Sequence, residues 1–116
     1  MNIKEYEEYY REQAEHHELP DHMIDGLVRY IVHGIEPGGF LMSVLWNDLA
    51  WAAAKADAVN RRNLFRYASF LLYGAPGGCW GSQSKVLEWI EKGGLSSLRG
   101  SSVWWAPENK DEVEIQ

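Results

Sequence analysis

His33-Gly34-Ile35-Glu36-Pro37-Gly38-Gly39-Phe40 and Tyr73-Gly74-Ala75-Pro76-Gly77-Gly78-Cys79 are two near-copies of one punctuation. In each, an apolar helical pattern runs into a glycine suited to the positive φ of a helix C-terminus. A proline then forbids continuation, and a Gly-Gly pair frees the backbone before the next helix. Two such corners fold three apolar segments onto one another, which predicts an all-α chain. Working outward from them gives a compact bundle of about five helices and an irregular Trp-containing C-terminal tail.

The segment before the first corner, His22 to His33, places Ile24, Leu27, Val28 and Ile31 on one helical stripe, with Asp21 expected as its N-cap. Upstream, Ile3 to about Glu18 reads as an acidic helix whose aromatic stripe includes Tyr6 and Tyr10. Between the corners, a third helix is expected from about Gly38 to Ala56, with Leu41, Val44, Leu45, Leu49 and Ala52 facing inward. A fourth should begin between Asn60 and Asn63 and bury Leu64, Tyr67, Ala68, Leu71 and Leu72. After the second corner, Ser82 is placed to cap a short fifth helix that Gly93-Gly94 stops. The chain accordingly divides into an acidic helix (1–18), a helical core (19–94) and a tail (95–116) that packs on the core or on a partner.

At 116 residues, with 46% hydrophobic and 13% aromatic composition, the chain is long enough for one modest core and too apolar for disorder. No run approaches the ~20 apolar residues of a membrane span, and Met1-Asn2-Ile3-Lys4 leads straight into glutamates instead of an apolar signal segment. Cys79 is the single cysteine, which suits a reducing compartment. These features predict the cytoplasm. The net charge of -6 is carried by the ends: residues 1–18 hold six Glu against Lys4 and Arg11, and residues 107–116 hold four acids against Lys110. A near-neutral centre with Arg61, Arg62 and Arg66 lacks the extended basic stripe of a duplex-binding protein, so a DNA-binding regulator is the weakest of the functional alternatives.

Chemistry is sparse. His16, His17, His22 and His33 show no zinc-ligand spacing, so no metal is expected. Cys79, in a Gly-Cys-Trp turn, reads as a buried packing residue in preference to a nucleophile. The Pro-Gly-Gly corners lack the Lys and Ser/Thr of a phosphate loop. No acid/base pair, triad or cofactor motif emerges, and the protein is read as a non-enzyme without cofactor.

The densest polar cluster is Asn47, Asp48, Asp57, Asn60 and Arg61, which Arg29 and His33 are expected to join, with Trp46, Trp51 and Trp80 as stacking faces. Guanidinium, amide and indole together suit a nucleotide-like ligand. The same residues also suit a structural network in which Asp48 pairs with Arg61 and pins the third helix to the fourth. Six Trp and six Tyr are many for so short a chain, and Trp104 and Trp105 lie in the tail, so a host protein or a second copy is the other candidate partner.

The set Arg29-Tyr30-Ile31, His33-Gly34-Ile35, Pro37-Gly38-Gly39-Phe40-Leu41, Val44-Leu45, Asn47-Asp48-Leu49, Ala56-Asp57, Asn60-Arg61, Ala75-Pro76 and Gly78-Cys79-Trp80-Gly81-Ser82 resembles a family of small phage and prophage proteins. The resemblance covers roughly residues 24 to 90. It implies a phage or prophage origin and brings no catalytic residues with it. Because accessory phage proteins of this size often counter host defence, it also implies a host component as the target.

Overall fold

A computed structural model of the chain describes residues 1–96, which are all-helical, with no strand among them. Trp104, Trp105 and the tail beyond Ser96 lie outside the described residues. Where five helices were expected, the described residues hold α1 (Ile3–His16), α2 (Asp21–His33), α3 (Gly39–Leu45), α4 (Leu49–Lys55), α5 (Ala58–Arg62), α6 (Leu64–Tyr73) and α7 (Gln83–Lys92), with a further helical run at 94–96. A single 3₁₀ turn, Gly77–Cys79, precedes α7. The count rises because the third and fourth predicted segments each divide in two.

α1 is started by a reciprocal cap. Asn2 Oδ1 accepts the Glu5 N–H at 2.8 Å, and Glu5 Oε1 accepts the Asn2 N–H at 2.9 Å, which satisfies two of the donors a helix N-terminus leaves free. Ala14 is buried and Tyr6 and Tyr10 pack on the core, so these tyrosines cover the protein's own interior. α1 and α2 run antiparallel, as the pairs Arg11–Asp25 (2.7 Å) and Glu7–His33 (2.7 Å) require. Asp21 is the first residue of α2, not its cap: Pro20 holds the N-cap position with no side-chain hydrogen bond, and the acid in the first turn complements the helix dipole.

α2 is the centre of the fold. The expected Ile24, Leu27, Val28 and Ile31 are buried, and so are Tyr30 and Val32, because neighbours cover more than one of its faces. Its C-terminus ends as the sequence predicts, at Gly34 with φ 70. Gly74, at the second corner, instead has φ -123. Tight space rather than a positive φ favours that glycine, since a Cβ there would lie 3.1 Å from Phe70 Cδ1 and 3.2 Å from His17 Nε2 and would press on both side chains. The corner that follows docks inward: the Tyr30 hydroxyl donates to the Cys79 carbonyl at 2.6 Å, and the Gly81 N–H donates to the Leu45 carbonyl at 2.8 Å.

α7 closes the bundle. Ser82 caps it as expected, its Oγ accepting the Lys85 N–H at 3.2 Å, and Val86 and Trp89 are its buried residues. The Trp89 indole N–H is shared between the Tyr30 and Ile31 carbonyls, each at 3.1 Å. A side chain from α7 thereby reaches the last turn of α2, supplying a donor to the Ile31 carbonyl and a second one to the Tyr30 carbonyl, which also accepts the Gly34 N–H at 2.9 Å.

Candidate functional site

The polar cluster singled out in the sequence is mostly spent on joints between helices. At Asn47 the predicted third helix stops: Asn47 has φ 67, its N–H bonds to the Val44 carbonyl at 3.0 Å, and the Asp48 N–H bonds to the Ser43 carbonyl at 3.0 Å. This is a Schellman closure with asparagine in the left-handed position that glycine usually takes. Asp48 then starts α4, its Oδ1 accepting the Trp51 N–H at 3.0 Å. The expected Asp48–Arg61 ion pair is not formed among the described residues. Asp48 serves as an N-cap, and an Arg61 guanidinium N–H donates to the Ala56 carbonyl at 3.2 Å.

The next joint repeats the device. Asp57 Oδ1 accepts the Asn60 N–H at 2.7 Å and caps α5, so the fourth predicted helix begins earlier than expected and restarts as α6 after Asn63. That hydrogen bond holds the Asp57 carboxyl below its ordinary value; desolvation opposes it, and a contact with the His22 ring at 3.2 Å adds to it. Asn60 is buried, with its side-chain oxygen accepting the Tyr67 hydroxyl at 2.7 Å. Burial raises the Tyr67 hydroxyl far above its usual range, so it stays a donor to Asn60.

His33 pairs with Glu7 through Nε2 at 2.7 Å and is not turned toward an anion shared with Arg29. Arg29 is exposed, makes no hydrogen bond or ion pair among the described residues, and lines two shallow depressions. One is shared with Glu7, Glu8, Arg11, Asp25 and Val28, and the other includes His22, Glu36 and Pro37. Asn47 and Asp48 line a different depression. Trp80 is half-buried against the core, and Trp51 is exposed beneath the Lys55 ammonium, 5.2 Å from its ring centre. Cys79 is fully buried, and desolvation pushes its thiol well above the ordinary range. Among the described residues no group of three or more His, Cys, Asp or Glu is placed to hold a metal ion, and no helix is long and apolar enough to cross a membrane.

What the sequence reading missed is an apolar groove between α4 and α6. It is the depression that Asn47 and Asp48 line, its other walls being Val44, Leu49, Ala52, Leu64, Tyr67, Ala68 and Leu71, and its volume is about 70 Å³. Leu49 and Leu72, both expected inside, are 73% and 62% exposed, and Phe65 is 84% exposed. The joint at Asn47-Asp48 is the reason for Leu49. It resets the helical phase, so a residue in step with Leu41 and Leu45 on one continuous helix comes out at the surface. Phe65 and Leu72 are seven residues apart on α6 and therefore share a face, beside the Leu64, Ala68 and Leu71 line.

Comparison with known protein families, with curated proteins and with solved structures returns no match to this chain.

Proposed function

We propose that the protein is a non-enzymatic phage or prophage accessory protein, acting in the cytoplasm of the bacterial host, that binds and inhibits a component of host defence. The observation that carries this reading is the apolar face of α4 and α6. A phenylalanine 84% exposed on the same face of α6 as a leucine at 62%, with a leucine at 73% on α4 lining the groove, contributes nothing to the protein's own core, and large apolar patches mark contact surfaces. The partner that fits is a protein offering an apolar anchor to the groove. A net charge of -6 favours one with a basic surround, because opposite fields steer association. The carboxylates that a catalytic reading would recruit, Asp48 and Asp57, are occupied as helix caps, which supports capture over turnover.

Sequestering a nucleotide-like signal is the second reading, and Arg29, the exposed guanidinium between two depressions, is what favours it. The two readings separate by substitution. Phe65→Glu and Leu72→Glu should leave helical content unchanged and remove capture of the host protein, with Arg29→Ala capturing as the native chain does. The reading fails if capture survives both substitutions on the exposed face of α6, or if a nucleotide raises the melting temperature and that rise is lost on Arg29→Ala.

A further inference from the structure

Phe65, Ala68 and Leu72 are all exposed and stand at i, i+3 and i+7 on α6, the spacing of a seam that packs against another helix. We infer that the helix that meets it is α6 of a second copy of the chain, antiparallel, about a two-fold axis between Ala68 and Ser69. This goes beyond the host-protein reading of the same face: the pair keeps that face covered until a host protein takes it, and its test needs no host protein.

Shape and area select that occupant. The two large side chains flank the midpoint of the seam, and the two small ones, Ala68 and Ser69, stand at it. A two-fold axis there sets Phe65 against the partner's Leu72 and lets the helices approach closely at the centre. Leu49 of α4 borders the seam, lining the groove together with Ala68. Phe65, Leu72, Tyr73 and Leu49 are 84%, 62%, 78% and 73% exposed. At about 150–250 Å² for a large side chain they offer on the order of 500 Å² a copy, and the pair thereby reaches the ~1,000 Å² that a specific interface requires.

Charge fixes the direction. At the end of α6 the Gly74 and Ala75 N–H groups both donate to the Phe70 carbonyl, at 2.7 and 3.0 Å, so among the described residues no hydrogen bond from beyond the helix reaches the Leu71, Leu72 or Tyr73 carbonyl. That end is the negative pole of the helix. Before its start, Arg62 is exposed and makes no hydrogen bond or ion pair among the described residues, whereas Arg66 is paired with Glu18 at 3.1 Å and Arg61 donates to the Ala56 carbonyl. Antiparallel pairing brings Arg62 to the carbonyl end of the partner's α6, twice over by symmetry. Parallel pairing would instead set Arg62 against the partner's Arg62 and align the two helix dipoles. The net charge of -6 on each copy opposes the approach, which leaves a pair that exchanges.

The test is the mass of the full chain in solution, by sedimentation equilibrium from low micromolar to about 1 mM. It should rise toward twice 13.3 kDa. Phe65→Glu should stay at the monomer mass with helical circular dichroism unchanged. Arg62→Glu should weaken the pair by about tenfold, because attraction to the helix pole is reversed at two symmetric places. The axis is read by crosslinking. Ala68→Cys should form a disulfide-linked pair under mild oxidation about tenfold or more faster than Glu88→Cys on α7, and Cys79, fully buried, stays out of the reaction. A monomer throughout the range would overturn the inference, as would a pair that survives Phe65→Glu, a pair indifferent to Arg62→Glu, or equal crosslinking of the two cysteine variants. Each of these leaves the host-protein reading standing, because that reading is decided by capture.

Discussion

Gly34 and Gly94 pack backbone against backbone where α2 and α7 end: a Cβ on Gly94 would lie 2.7 Å from the Gly34 nitrogen and 2.8 Å from the Ile31 carbonyl oxygen. Both residues also have positive φ, 70 and 65. Each side of the contact therefore needs glycine twice over, for conformation and for space.

Gly94→Ala is expected to destabilise the fold by about 2 kcal/mol or more, since strained backbone and a clash with main-chain atoms add. For a domain of this size that lowers the melting temperature by roughly 8 °C or more. Thermal unfolding followed by circular dichroism checks it, and a shift of one or two degrees would mean that α7 simply moves aside.

Trp89→Phe keeps most of the buried ring surface and removes the N–H shared by the Tyr30 and Ile31 carbonyls. The Tyr30 carbonyl keeps the Gly34 N–H and the Ile31 carbonyl loses the indole donor, so a loss of about 1–2 kcal/mol is expected in urea unfolding.

Tyr67→Phe leaves the side-chain oxygen of the buried Asn60 without the hydroxyl that donates to it at 2.7 Å. The expected cost is again about 1–2 kcal/mol. In a double-mutant cycle with Asn60→Ala the two losses should fall short of additive, as they do for groups that bond to each other.

Asp57 sets a pH dependence. Its folded-state carboxyl lies below the ordinary 3.8, so the stability it contributes is present above that value and is lost as pH falls through the lower folded-state value. Asp57→Asn keeps a good N-cap but has no carboxyl to protonate. The variant should therefore show a flatter loss of stability than the native chain below about pH 4, read from urea midpoints across the acid range.

Cys79, fully buried with its thiol raised by desolvation, should react with Ellman's reagent only when the protein unfolds. The labelling rate in native buffer should rise with urea in step with the unfolded population, and prompt stoichiometric labelling of the native chain would contradict that burial.

How much was legible in advance differs from element to element. The stripe Ile24, Leu27, Val28, Ile31, the left-handed Gly34 and the Ser82 cap were readable because each depends on residues within about one helical turn. The Asn47-Asp48 break was readable in principle, since an asparagine followed by a good N-cap is a stop and start signal. It was hidden by the apolar positions on either side, which keep helical spacing across the joint. The candidate cluster failed to converge for a related reason. Asp48 and Asp57 are short polar side chains whose nearest unsatisfied donors are on their own backbone, and the Asn60 side-chain oxygen is taken by the Tyr67 hydroxyl, so none of the three is left to an arginine.

By itself the sequence determined that this chain is helical, where its strongest corners fall and which face of α2 is buried, because backbone preference and apolar period act over a few residues. Only the tertiary structure decided that Trp89 would serve the end of α2, that Gly34 would need Gly94, and that Leu49, Phe65 and Leu72 would be left at the surface. Those outcomes depend on which helices meet and in what phase, and that relation joins residues tens of positions apart that no local pattern connects.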